Sequence, residues 1–209
     1  MGGQKNLSAF SFAALLSLKA VSGITFRAFG RLNTIRKTEF LRRNPMSATP
    51  PAPSAGFAVA PGGNRYADKL YVVGDSVTVK ISSQDTGGAF AVCEDVTPPL
   101  AGPPLHLHLD QDEWWYILEG EYLFEVDGQA IKANAGATVF ARRGSRHTFQ
   151  NIGTKPGRVL VTVVPGGLDV FFEELSTMFP AGAALDMEKL AALFRKHKLE
   201  LLGPPIGAR

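Results

Sequence analysis

The chain has 209 residues, 45% hydrophobic and 20% charged, with a formal net charge of +3; once its ends are set aside, about 140 residues remain for a single core. Residues 1–49 hold eight Lys/Arg against one acid, Glu39, while the rest hold fourteen basic against eighteen acidic residues. The pI of about 9.1 thus comes from the leader, which argues against a nucleic-acid partner, and the single cysteine, Cys93, excludes an intrachain disulfide.

Taken in chain order, residues 1–49 read as a disordered leader. Leu7 to Leu18 is apolar but too short to span a bilayer. Lys5 and the small residues Ala20-Val-Ser22 fit a secretory signal. Arg27, Arg31, Arg36, Lys37, Arg42 and Arg43, with almost no acids, fit an organelle transit peptide equally well. A native start at Met46 is the third reading, and it alone implies a cytoplasmic chain; all three stay open. The Pro, Ala, Ser and Gly of residues 50–64 read as a linker.

From 65 to 166 the pattern is that of short strands. Leu70–Val73, Val77–Ser82 and Ala89–Val96 cluster β-branched and aromatic residues between Gly, Asp and Pro. Cys93, inside the third run, reads as a small buried thiol. Trp114–Leu118 and Glu121–Val126 flank Glu119-Gly120, and Asp127-Gly128 is a strong hairpin signal. Thr138–Ala141, His147–Asn151 and Arg158–Val164 follow, with turns at Arg143-Gly144 and Lys155-Pro-Gly157. Even spacing of short strands predicts an all-β, antiparallel, jelly-roll-like β-barrel. After Pro165-Gly-Gly167 the period becomes helical through Leu168, Phe171, Phe172, Leu175 and Met178. A second helix is expected to open at Asp186 as N-cap and run through Leu190, Leu193 and Phe194 toward Gly203. This 167–209 extension is expected to cover the barrel or a dimer seam, with His197 on a solvated face. Open strand edges and the apolar Phe171, Phe172, Leu175 helix predict a homodimer.

Three of the four histidines stand in one constellation. His106 and His108 form H-x-H, Glu113 follows five residues on, and His147 comes after a glycine-bounded gap. On an extended strand i and i+2 share a face, so both imidazoles of H-x-H can reach one point. Three neutral nitrogens and one carboxylate suit one divalent Fe, Mn, Ni, Co or Zn ion per chain. No Ser-His-Asp set, phosphate-binding glycine loop or Cys-x-x-Cys pair competes as a centre.

The stretches Gly102–Gly120 and Gly136–Asn151 resemble the paired motifs of the cupin superfamily, G-x(5)-H-x-H-x(3,4)-E-x(6)-G and G-x(5)-P-x-G-x(2)-H-x(3)-N. The first fits at every fixed position from His106 to Gly120; the second fits at Gly136, Gly144, His147 and Asn151. Two positions depart: the leading glycine of the first motif falls at Leu100, and Arg142 replaces the proline of the second. The resemblance implies a cupin barrel holding a metal through His106, His108, Glu113 and His147, and barrel-to-barrel pairing. The C-terminal pair, ending Leu-Glu-Leu-Leu-Gly-Pro-Pro, is similar to the tail of small bacterial cupins named after quercetin dioxygenase.

Strand parity extends the site. If Glu113 faces inward, so do Trp115 and Ile117; if His147 does, so does Phe149. With Phe124 and Phe140 on further walls, the expected substrate pocket is aromatic and apolar. Arg142, Arg143 and Arg146 are expected at its mouth as a solvated rim. Four protein ligands leave one or two positions on an octahedral ion for a small-molecule substrate. Two functions follow: a dioxygenase-type enzyme on a small hydroxylated aromatic or other chelating substrate, with Glu113 as catalytic base, or a non-oxidative metal-bearing binding protein or isomerase.

Overall fold

The computed structural model describes residues 56–65 and 70–208. The leader expected at 1–49, and residues 50–55 of the expected linker, lie outside the described residues. Residues 56–64 form neither strand nor helix, yet Asn64 is tied to the barrel: its Oδ1 accepts from the Val79 amide at 2.7 Å.

Eleven strands, two α-helices and a short 3-10 helix (Ile206–Ala208) make up the fold among the described residues. In chain order the strands are β1 (Leu70–Val72), β2 (Asp75–Ile81), β3 (Ala91–Thr97), β4 (Leu105–His108), β5 (Asp112–Glu119), β6 (Glu121–Val126), β7 (Gln129–Asn134), β8 (Thr138–Ala141), β9 (His147–Asn151) and β10 (Gly157–Val164). Helices α1 (Leu168–Met178) and α2 (Met187–Lys196) follow, then β11 (Leu199–Gly203). They pair antiparallel into two sheets, ordered β1-β2-β3-β10-β5-β8 and β11-β4-β9-β6-β7. The inner faces meet in an aromatic core, with Trp115 packing on Phe124 at 5.2 Å between ring centroids and Phe124 on Phe149 at 5.4 Å. This is the all-β architecture that the strand spacing predicts, and no helix among the described residues is long and apolar enough to cross a membrane.

Parity explains most of the placements. Along β5, Glu113, Trp115 and Ile117 are buried, while Tyr116 and Leu118 face outward. Along β8 the buried residues are Val139 and Ala141, which leaves Phe140 on the outer face, 55% exposed and opposite Trp114. The expectation that Phe140 lines the cavity is therefore corrected: a strand alternates, and Ala141, opposite Glu113, takes the inward direction. β7 has little apolar alternation. It forms because Asp127 and Gly128 both take positive φ, 50° and 80°, the two-residue hairpin geometry that aligns Val126 with Gln129.

The C-terminal segment differs from expectation in one respect. α2 begins at its predicted cap, with Asp186 Oδ1 accepting from the amides of Glu188 and Lys189, but it stops at Lys196 rather than running toward Gly203. Lys198 turns left-handed at φ 58°, and Leu199–Gly203 pairs antiparallel with β4, Leu201 opposite His106. Leu-Glu-Leu-Leu satisfies either period, and the open edge of β4 supplies the ladder partner that selects the strand. His197 is not on a solvated face: it stacks edge-on against Phe171 and lies 3.3 Å from Glu174. Phe171 and Leu175 are buried in the core, so they are not the exposed surface from which a homodimer was expected. Exposed apolar side chains stand instead on the outer face of β5 and β8, at Tyr116, Leu118 and Phe140.

Both departures from the cupin-like motifs have local explanations. Leu100, at the motif's glycine position, adopts φ 63° and is 72% exposed, so a leucine stands in a conformation that favours glycine. Gly102 supplies a different need: a Cβ there would overlap the carbonyl oxygen of Phe149. Arg142 begins a turn closed by the Ser145 amide on its carbonyl at 2.8 Å, with Gly144 at φ 81°, so the turn forms without proline.

The inner face of the larger sheet also buries two acids. Asp75 opens β2 and Asp95 lies on β3 opposite Val77, which makes them diagonal neighbours on one face. Their carboxyls meet side chain to side chain, and an Oδ1 of each has no hydrogen-bond partner. Two facing carboxylate oxygens are favourable only with a proton between them. Burial pushes Asp75 up to about 7, and burial and then the charge of Asp75 push Asp95 up, against the pull of the Thr97 hydroxyl.

Two expected outcomes follow. Gly102→Ala should cost several kcal/mol in urea unfolding through backbone overlap, whereas Leu100→Gly should be neutral or stabilise by about 1 kcal/mol; a Leu100→Gly variant clearly less stable than the parent would contradict the strain argument. For the acids, unfolded aspartates ionise near their ordinary value of about 4, while the folded pair keeps a proton to near neutrality. The folded state then binds more protons across that window, so the pair's contribution to stability falls as pH rises through it. Asp95→Asn, whose amide donates to Asp75, should match the parent's Tm at pH 4 and exceed it by several degrees at pH 8. A Tm difference that does not grow with pH would rule this out.

Candidate metal centre

β4 carries His106 and His108 on one face, and β9 sets His147 directly opposite His106. Glu113 enters from β5 in the facing sheet. The imidazole centroids lie 4.3 Å apart for His106–His147, and 5.3 Å for both His106–His108 and His108–His147. Glu113 Oε2 stands 3.1 Å from His108 Nε2 and 3.0 Å from His147 Nε2. One ligand atom from each of the four residues lies within 4.8 Å of all the others, so the cluster could hold a metal ion.

The hydrogen bonds behind the rings decide what faces the centre. His106 Nδ1 is 2.8 Å from the Pro104 carbonyl, His147 Nδ1 is 2.9 Å from the Ser145 carbonyl, and His108 Nδ1 is 2.9 Å from Gln111 Oε1. All three partners only accept, so each Nδ1 carries the proton, and in the neutral ring Nε2 presents a lone pair. Gln111 is itself fixed, its Nε2 donating to the carbonyls of Pro165 and Gly166 at 3.0 Å each. His108 Nε2, His147 Nε2 and Glu113 Oε2 are buried without hydrogen-bond partners. Lone pairs converging in a buried site are a donor set that could hold a cation.

Electrostatics follow the same division. Burial, reinforced by His147 and His108, holds His106 well below the usual imidazole range, so it is neutral. Burial would raise Glu113, but His108 and His147 outweigh it and hold the carboxyl below its ordinary range, hence ionised. For His108 burial disfavours charge, yet the Glu113 carboxylate outweighs it and pushes the imidazole up. A proton and a cation thus compete for the same Nε2.

The centre opens into a cavity of about 600 Å³. Trp115 and Phe149 line it, with Phe171, Leu175, Leu190 and Phe194 from the two helices; the Phe194 ring stands edge-on to His106 at 5.9 Å. Phe124 does not reach the cavity surface but is fully buried against Trp115 and Phe149, so its expected place in the pocket is corrected to a supporting one. Phe140 is outside. Arg142, Arg143 and Arg146 are exposed and none is among the lining residues, and Arg143 is occupied by Asp112 at 2.9 Å.

Sequence reasoning missed three kinds of residue here. Gln111 carries no motif letter, although a glutamine three residues past His108 is within reach of its ring. Asp75 and Asp95 were legible as acids at the inward parity of Val77 and Cys93. The helix residues were read as a cover and not as a cavity wall, because periodicity gives a face without giving what it faces.

Residues 95–163, about a third of the chain, match the family model described as "Cupin domain". The chain is 32% identical over 60 residues to the tetracenomycin polyketide synthase protein TcmJ of Streptomyces glaucescens, covering 29% of this chain and 40% of that protein. It is 31% identical over 67 residues to an oxalate-binding protein of Thermotoga maritima, covering 32% of this chain and 55% of that protein. The matches therefore span about half the length of these curated relatives. Among solved structures, KdgF from Halomonas sp. is 16% identical at TM-score 0.48, covering 56% of this chain and 99% of that one. A predicted oxalate decarboxylase from Thermotoga maritima is 25% identical at TM-score 0.42, covering 44% and 80%. Both motifs, Gly102–Gly120 and Gly136–Asn151, lie inside residues 95–163, the stretch that matches the family model described as "Cupin domain".

Proposed function

We propose that the chain is a metal-dependent cupin of dioxygenase type, acting on a small hydroxylated aromatic or related chelating substrate. One observation carries the reading: three imidazole lone pairs and an ionised glutamate converge on the wall of an apolar, partly aromatic cavity. His106, His108, Glu113 and His147 would hold one Fe, Mn, Ni, Co or Zn ion. Such an ion supplies Lewis acidity and, when redox-active, electron transfer toward O₂. The remaining work falls to the chain. Trp115 and Phe149 offer faces on which a planar ring can stack, and the helix residues exclude water from it. Glu113 would take a substrate hydroxyl proton when its carboxylate leaves the metal.

The alternative is a non-oxidative binding protein or isomerase, which the match to an oxalate-binding protein favours. The lining argues for a larger and less polar ligand, since no Lys or Arg is among its described residues to neutralise a small dianion. The name of the TcmJ relative, a polyketide synthase protein, is compatible with a larger ligand.

The purified protein is expected to bind about one divalent metal per chain. The double substitution His106→Ala/His108→Ala should remove most of it, and Gln111→Ala should weaken metal affinity by about 10–100-fold through the loosened His108 ring. Full occupancy in the double variant, by elemental analysis, would end the metal reading. For the reaction, an oxygen electrode should register O₂ consumption with a flavonol, catechol or diketone on protein loaded with Fe, Mn, Ni or Co. Glu113→Gln should lower turnover further than it lowers metal content. No consumption with any metal, together with saturable binding of an acid or sugar, would transfer the case to the alternative.

A further inference from the structure

Apart from the metal centre, the polar side chains lining the cavity, among the described residues, are Asp75 and Asp95. Each is only 7% exposed, and each keeps an Oδ1 without a hydrogen-bond partner. They stand apart from the centre: Asp95 is opposite Val159, which is opposite Ile117, four residues along β5 from Glu113. We propose that Asp75 and Asp95 form a second polar subsite of the cavity, which binds a hydroxyl group of an otherwise apolar ligand.

The chemistry of the pair selects that group. Facing carboxyls share a proton; a ligand oxygen can draw that proton from the partner carboxyl, and the carboxylate so released becomes the acceptor. A hydroxyl can accept that proton and donate to that carboxylate. An ether accepts only, an ammonium donates only, and a carboxylate adds a charge to an acidic site. Among the described groups that act on the pair none is a cation: Thr97 stands beside Asp95, Tyr122 beside Thr97, and Glu113 contributes a further negative charge. Val72, Val161 and Phe172 line the cavity together with the pair, and in such surroundings an unmatched polar group is costly. The subsite deepens the reading of a hydroxylated substrate, because it accounts for a hydroxyl away from the metal, but it needs neither metal nor oxygen to operate.

Calorimetric titration of the full chain with naphthol, its methyl ether, naphthoate and naphthylmethylamine tests this. Naphthol should bind about tenfold or more tightly than the methyl ether, and the preference should survive chelator treatment that strips the metal. In Asp95→Val the preference should shrink to about twofold while the methyl ether still binds, which also reports an intact cavity; Asp75→Val is the second variant should the first not fold. An unchanged preference in the folded variant, a preference lost with the metal, tightest binding of the acid or the amine, or binding of none of the four would each overturn the subsite. Absence of O₂ consumption would leave these results untouched, so the two readings fail separately.

Discussion

The structure is organised around the direction in which three imidazoles are held. Carbonyl acceptors behind His106, His108 and His147 fix the proton on Nδ1, and this turns three Nε2 lone pairs toward an ionised carboxylate. Buried acceptors without donors cost about 1–3 kcal/mol each, so the arrangement opposes its own folding. The rest of the barrel must hold it. Ladder pairing places His106 against His147, and the facing sheet brings Glu113 across the interior. A cation would convert these mutually repelling groups into a stabilising cluster, because binding free energy at a preformed site is also folding free energy.

The same demand explains the C-terminal segment. β4 is short, only Leu105–His108, and a four-residue strand carrying two of the clustered histidines needs a partner on each side. β9 supplies one and β11 the other, with Leu199 opposite His108 and Leu201 opposite His106. α1 and α2 lie before β11 in the chain, and their apolar faces close the cavity over the centre. Gln111 joins the two parts, accepting from His108 and donating to the Pro165 and Gly166 carbonyls at the entry to α1. Cavity wall and ligand orientation are thus coupled through one side chain.

How much of this was legible follows from what each signal encodes. The i, i+2 rule applied to His106 and His108 is local geometry, and it placed both correctly, as it did Trp115 beside Glu113 and Phe149 beside His147. It was not applied to Phe140, whose inward neighbour Ala141 is less conspicuous in the sequence. Leu199–Gly203 was misread because an apolar run with one glutamate fits both periods, and only the free edge of β4 decides between them. The dimer argument drew on a true feature, the apolar face of α1, but assigned it to the surface. Pattern shows that a face is buried; tertiary structure shows against what.

The cavity therefore joins two polar centres of opposite character. One presents converged lone pairs and suits a cation. The other, at Asp75 and Asp95, presents a shared proton and suits a group that can both give and take a hydrogen bond. Apolar and aromatic side chains from both sheets and both helices surround them. In such surroundings an unmatched polar ligand atom is expensive, so selectivity would come less from attraction than from the spacing of the places where polarity is tolerated. A ligand satisfying both would be rigid and largely apolar between its polar ends. A planar hydroxylated ring system meets that description better than a small dianion, which would leave the carboxyl pair and most of the apolar wall without a partner.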